Sequence, residues 1–305
     1  MLGLIALLFT PAPPAAPMAL YAEARAVVDR QAGALWPGLN AAPFRMLLID
    51  GGQEYLVCAD PVEGFEAAGT DTETGCTVQT RTAQFDPALL ATFPVAGVST
   101  VVIGTPDSTG QSPQAWRQTL LHEHMHQFQD SHPASSYAAV LDLDLHGGDQ
   151  TGMWMLTYPF PYTDPGVAGA GRQLADAALA ALEASDTAFP SALQTYIAAR
   201  QAFLDRLSDA DARYYEFQAW KEGVARWSEL ALARLDGDAA ETARQHERLI
   251  SELQTLSLPD QERVAFYPLG AADAELLERA GPDWRAGYFN HPFRLAPHFT
   301  ALAAE

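Results

Sequence analysis

The chain has 305 residues, 48% of them hydrophobic, a formal net charge of −20 and two cysteines. That length supports a sizeable core, in one large domain or two small ones, and the apolar content is that of an ordinary globular protein. So negative a balance disfavours nucleic acid and anionic membrane surfaces as partners.

Residues 2–9 are apolar and lead into a Pro/Ala-rich stretch ending near Pro17, with no basic residue before Arg25. The run is too short to cross a bilayer as a helix, so no transmembrane anchor is expected. Its composition is similar to the apolar core of a secretory signal; residues 1–18 are read as a leader, and the protein as secreted or periplasmic. A first helix is expected over 19–32, and β-like segments over 44–49, 55–59 and 77–85. Cys58 and Cys76 fall in this β-rich stretch, on either side of a Gly/Asp/Glu/Thr-rich loop. A disulfide closing such a loop would stabilise the fold by ~3 kcal/mol and would fit an oxidising compartment.

Residues 98–104 read as a fourth strand, followed by a loop and a helix over 113–130. Ser112 suits the N-cap and Pro113 the first helical position. Trp116, Leu120, Leu121, Met125 and Phe128 recur at helical spacing and define a buried face. The same helix carries His122-Glu123-His124-Met125-His126, a His-Glu-x-x-His motif. Positions i and i+4 share a helix face, so His122 and His126 can offer two imidazoles to one metal ion. Glu123 can then reach a water on that ion as general base. At ~100° per residue, His124 points away from both and is expected in the core or behind the ligands.

A Gly/Pro/aromatic stretch over 131–171 follows, and then helices over 172–185, 190–207, 210–235 and 238–256, with a mixed, aromatic tail from Leu258. No repeat or hydrophilic linker divides residues 19–305, which are expected to form a single catalytic domain. Its class is α+β: a small mixed β-sheet in the N-terminal half with the motif helix, then a mainly helical C-terminal half.

Two histidines do not complete a catalytic zinc site, which uses three protein ligands and keeps a fourth position for water. Glu222, His132, Glu216 and His146 are the candidates downstream. With His122 and His126, His132 has metzincin spacing, but Gln129 stands where that pattern has the glycine that turns the chain out of the helix. Pro133 restricts His132 further. Glu216 faces a different side of its helix from Glu222, and His146 lies in a Gly-rich loop.

Glu222 lies within Ala219-Trp220-Lys221-Glu222-Gly223-Val224-Ala225-Arg226-Trp227. Here the chain resembles the gluzincin branch of zinc metallopeptidases, which pair His-Glu-x-x-His with a glutamate on a later helix, often within Glu-Gly-x-Ala. The resemblance covers the motif helix and this second helix. It implies a zincin-like fold, Zn²⁺ held by His122, His126 and Glu222, Glu123 as general base, and a peptide or protein substrate. The stretch from His126 to Glu222 is longer than in the best-known gluzincins, which implies that region 131–207 is a large insertion or lid. Gly223 would let two helices approach closely. Donors for a developing oxyanion are sought among His146, Tyr158, Tyr162, Tyr215, Tyr288 and His291, and supports for a ligand histidine among Asp142, Asp144 and Asp149. By analogy with zincin architecture, strand 98–104 is expected to offer an edge to an extended peptide. Two other readings stand beside this one: a non-catalytic zinc protein, structural or peptide-binding, and a metal-free helical binding domain. Glu123 weighs against the first, since a structural site has no use for a carboxylate there.

Overall fold

Met46, Leu47, Leu48 and Ile49 are all buried, so the strand they form is covered on both faces. This is β1 (Met46–Asp50), in the computed structural model, which describes residues 12–303. β1 pairs antiparallel with β2 (Gln53–Val57) through a tight turn at Gly51 and Gly52, both at positive φ, a conformation glycine adopts without steric cost. On its other side β1 pairs in parallel with β6 (Val98–Gly104). Three further strands complete the sheet: β3 (Glu66–Thr70), β4 (Thr77–Thr82) and β5 (Leu90–Val95), in the order β3-β4-β2-β1-β6-β5. Leu47, Ile49, Leu56, Val95 and Val102 form a core on one face, against which Phe65, Phe85 and Phe93 pack. Alternation sends Met46, Leu48, Val101 and Ile103 to the other face.

The two edge strands were not expected. β3 is largely exposed and carries a register shift between Ala67 and Gly69, while β5 contains Pro94; bulges and proline are tolerated at sheet edges. β5 also corrects one expectation. β6 is hydrogen-bonded on both sides, to β1 and to β5, and has no free edge for a peptide.

The first helix, α1 (Ala15–Val27), continues as a π turn over Val28–Ala32. It begins earlier than expected, and Met18, assigned to the leader, is fully buried; residues 2–9 lie outside the described residues. Cys58 and Cys76 are joined by a disulfide, as expected. Arg25 of α1 reaches it, with Nη1 2.6 Å from Cys58 Sγ. Replacing both cysteines by serine is expected to lower unfolding free energy by about 3 kcal/mol. Urea melts check this, and an unchanged midpoint would show that the link carries no stability.

The motif helix, α2 (Pro113–Ser131), starts as read, with the Ser112 hydroxyl accepting from Ala115 N–H at 3.2 Å. Trp116 Nε1 donates to the Gly104 carbonyl at 2.8 Å, and Thr92 of β5 donates to the Glu123 carbonyl at 3.1 Å. These bonds tie the helix to the sheet.

The chain divides into two compact units after Phe128, inside α2. The second unit is helical: α3 (Pro165–Leu182), α4 (Phe189–Leu204), α5 (Asp209–Gln218), α6 (Val224–Leu235), α7 (Ala239–Gln254), α8 (Phe266–Ala280) and α9 (Ala296–Ala303). α3 starts ahead of its expected position because Asp164 caps it, accepting from Gly166 and Val167 N–H at 2.9 Å each. α3 packs on α4, α7 and α8. These helices pack together within the unit. The class is mixed α+β, and no helix among the described residues is long and apolar enough to cross a membrane.

Candidate metal centre

From Leu120 to Gln129 every residue of α2 is buried, although six of them are His, Glu or Gln. Buried polar groups need partners, and three of the six are fully accounted for elsewhere. His124 places Nδ1 3.0 Å from Gln127 Oε1 and Nε2 3.1 Å from the Leu39 carbonyl, with its ring stacked on Phe44. Burial pushes its pKa down to about 4. It is a core residue, as the helix geometry implied. Gln127 Nε2 donates to the Arg45 and Ser99 carbonyls. Gln129 Nε2 lies within hydrogen-bonding distance of the Trp220 and Lys221 carbonyls and the Tyr288 hydroxyl.

The other three are His122, Glu123 and His126. The two imidazole centroids are 4.8 Å apart with the rings edge to face at 87°, one helical turn from each other. Glu123 Oε2 is buried without a hydrogen-bond partner. An unpartnered buried carboxylate oxygen is costly, and a water held beside it would satisfy it.

Glu222 lies in a π turn, Ala219–Gly223, that joins α5 to α6. Wide turns of this kind occur frequently at functional sites. What places this one is a glycine crossing. A Cβ on Gly223 would stand 2.3 Å from Gly270 Cα, and one on Gly270 would stand 2.5 Å from the Ala219 carbonyl oxygen. The two backbones touch, as the small residue beside Glu222 suggested. One turn before Gly270 on α8 is Tyr267. Its hydroxyl accepts from Arg263 Nη1 at 2.7 Å and donates to Glu222. Burial pushes the Tyr267 phenol well above its ordinary range, and the Glu222 carboxylate adds to that shift. Tyr267 thus stays protonated and bonds the glutamate. Sequence reading missed it; pairing Gly270 with Gly223 as two faces of one crossing was the signal.

The ligand-capable atoms of His122, His126 and Glu222 lie within 4.8 Å of one another, the group of this kind found among the described residues. Two imidazoles and a carboxylate are a donor set that could hold a metal ion.

The rival ligands are engaged elsewhere. His132 stacks on Phe289, and its Nδ1 accepts from Ala134 N–H at 3.2 Å. His146 Nδ1 accepts from Gly148 N–H within its own loop. Glu216 is buried, pairs with Arg200 at 2.6 Å and accepts from Leu295 and Ala296 N–H. The proposed supports fare no better. Asp142 and Asp144 are exposed, and Asp149 caps its own turn by accepting from Thr151 and Trp154 N–H. Among the oxyanion candidates, Tyr158 donates to Asp211, Tyr162 bonds Tyr214, Tyr215 and Tyr288 are fully buried, and His291 packs on His298. No family model, curated protein or solved structure matches this chain.

Proposed function

We propose that the protein is a zinc-dependent hydrolase of zincin type, gluzincin-like in its ligand set, that cleaves peptide bonds. The observation that carries this reading is the convergence of His122, His126 and Glu222 beside the unpartnered Glu123 Oε2. Those three residues would hold Zn²⁺, which when bound supplies a Lewis acid and lowers the pKa of water. Glu123 accepts the proton of the attacking water and returns it to the leaving amine. Tyr267 fixes the Glu222 carboxylate, so that its oxygen is presented in one orientation. β5 ends the sheet and lies beside the motif helix through the Thr92 bond to the Glu123 carbonyl. Its outer edge suits an extended peptide by strand addition, in the role first expected of residues 98–104. The disulfide supports an oxidising compartment, secreted or periplasmic.

Metal analysis tests the reading. Purified protein reconstituted with zinc should hold one ion per chain. Glu222→Ala should weaken binding by more than the ~10–100-fold usual for a residue that only supports a ligand, and His132→Ala should leave it unchanged. Full occupancy in Glu222→Ala would move the third ligand elsewhere. A wild-type protein that binds no zinc would sink the assignment.

A further inference from the structure

Gln129 occupies the position where the metzincin pattern requires glycine, and the site described above gives it no role. It is fully buried. Its Nε2 lies 3.2 Å from the Trp220 carbonyl oxygen, 3.1 Å from that of Lys221 and 2.8 Å from the Tyr288 hydroxyl. Carbonyl oxygens only accept, so the amide nitrogen, not its oxygen, must face them. One hydrogen serves Tyr288 and the other is shared by the two carbonyls. Tyr288 in turn donates to the Trp220 carbonyl at 2.7 Å, and its ring stacks on the Trp220 indole at 4.3 Å and 5°.

Both carbonyls belong to the π turn, and Lys221 immediately precedes Glu222. A π turn shifts hydrogen bonding from i→i+4 to i→i+5; here the Val224 N–H reaches the Ala219 carbonyl, and Gln129 and Tyr288 supply side-chain donors to the Trp220 and Lys221 carbonyls of the same turn. Without those donors, relaxation toward a regular α-turn would rotate every following side chain by up to ~100° about the helix axis. The Glu222 carboxylate would turn with it. A second contact acts alongside: Lys221, the only lysine in the chain, pairs with Asp130 at 2.6 Å.

We infer that Gln129, with Tyr288, is a positioning residue that locks the π turn and thereby aims Glu222 at the metal. This rests on the proposed zinc site. The same helix that supplies two ligands thus sets, one turn later, the backbone of the third. Gln129 acts on the metal only through Glu222.

A mutant cycle on the full-length protein tests this, with zinc affinity measured by chelator competition and cobalt substitution giving a ligand-field spectrum. Gln129→Met keeps the length and removes the donor. It should weaken zinc by about 10–100-fold, the range for residues that orient a ligand, and should alter the cobalt d–d bands. In Glu222→Ala, adding Gln129→Met should cost less than 2-fold more, since the aimed ligand is gone. Equal zinc affinity in wild type and Gln129→Met would overturn the inference, as would independent, multiplying losses in the double variant. If Gln129→Met does not fold, Tyr288→Phe carries the same cycle, since it keeps the stacked ring and deletes only the hydroxyl. A wild-type protein that binds no metal fails the zinc reading itself, an outcome distinct from wild-type binding with no Gln129 dependence.

Discussion

Glu123→Gln should leave zinc in place and reduce peptide hydrolysis by about 10²–10⁴-fold, the usual contribution of a positioned general base. The substitution is nearly isosteric. It leaves His122, His126 and Glu222 untouched, and the bond from Thr92 is to the Glu123 backbone carbonyl, which survives. What is lost is a carboxylate that can take a proton. Oε2 is buried and makes no hydrogen bond within the protein. The measurement is turnover of a quenched fluorescent peptide library together with zinc content of the same sample. Lost turnover with full zinc separates a catalytic from a structural metal site. Wild-type turnover in Glu123→Gln would remove Glu123 from the chemistry, and no turnover by wild type on any peptide would favour a zinc protein that does not cut.

The motif helix was legible because its information is local. Ser112 and Pro113 mark its start, the apolar residues from Trp116 to Phe128 keep helical period, and the histidines sit at i and i+4. The helices from α3 to α7 were legible for the same reason, whereas α8 and α9 fall in the stretch from Leu258 that read only as a mixed, aromatic tail. β3 and β5 were not: an exposed, bulged edge and a strand containing Pro94 carry no alternation to read. Their absence left β6 looking like an edge. Glu222 was singled out through a resemblance, and the residues that contact it or its turn were not. Gln129 read only as a missing glycine because its acceptors lie about ninety residues away along the chain. Tyr267 read as one aromatic among many, since only the contact between Gly223 and Gly270 brings it to the glutamate. Glu216 was weighed as a ligand on helix angle alone. Its actual partner, Arg200, comes from a helix with no sequence signal pointing to it.

That pairing predicts the largest effect on stability. Arg200 of α4 bonds both oxygens of Asp273, at 3.0 and 3.2 Å, and pairs with Glu216 at 2.6 Å, while Tyr196 donates to Asp273 at 2.6 Å. All four side chains are buried. Burial raises the pKa of Asp273, and the guanidinium opposes it. Arg200→Met keeps the length of the side chain but strands two buried acids, which should cost about 3–5 kcal/mol at neutral pH. The loss should depend on pH in a defined direction. Without the cation the folded-state pKa of Asp273, already raised by burial, climbs further above its unfolded value of roughly 4. The folded state then binds protons that the unfolded state releases, so the deficit is greatest at high pH and shrinks as pH falls through the raised value. Guanidinium melts of wild type and variant at pH 5 and pH 7.5 check this; an equal deficit at both would mean that removing Arg200 leaves proton uptake by the folded state unchanged. Glu216 sits on α5, which leads into the π turn, and Asp273 sits one turn beyond Gly270 on α8. The network therefore holds in register the two segments that meet at Gly223 and place Tyr267 beside Glu222. Neutralising both acids in the Arg200→Met background, with Glu216→Gln and Asp273→Asn, should recover part of the stability and flatten the pH dependence, because the cost lies in the stranded charges rather than in the lost volume.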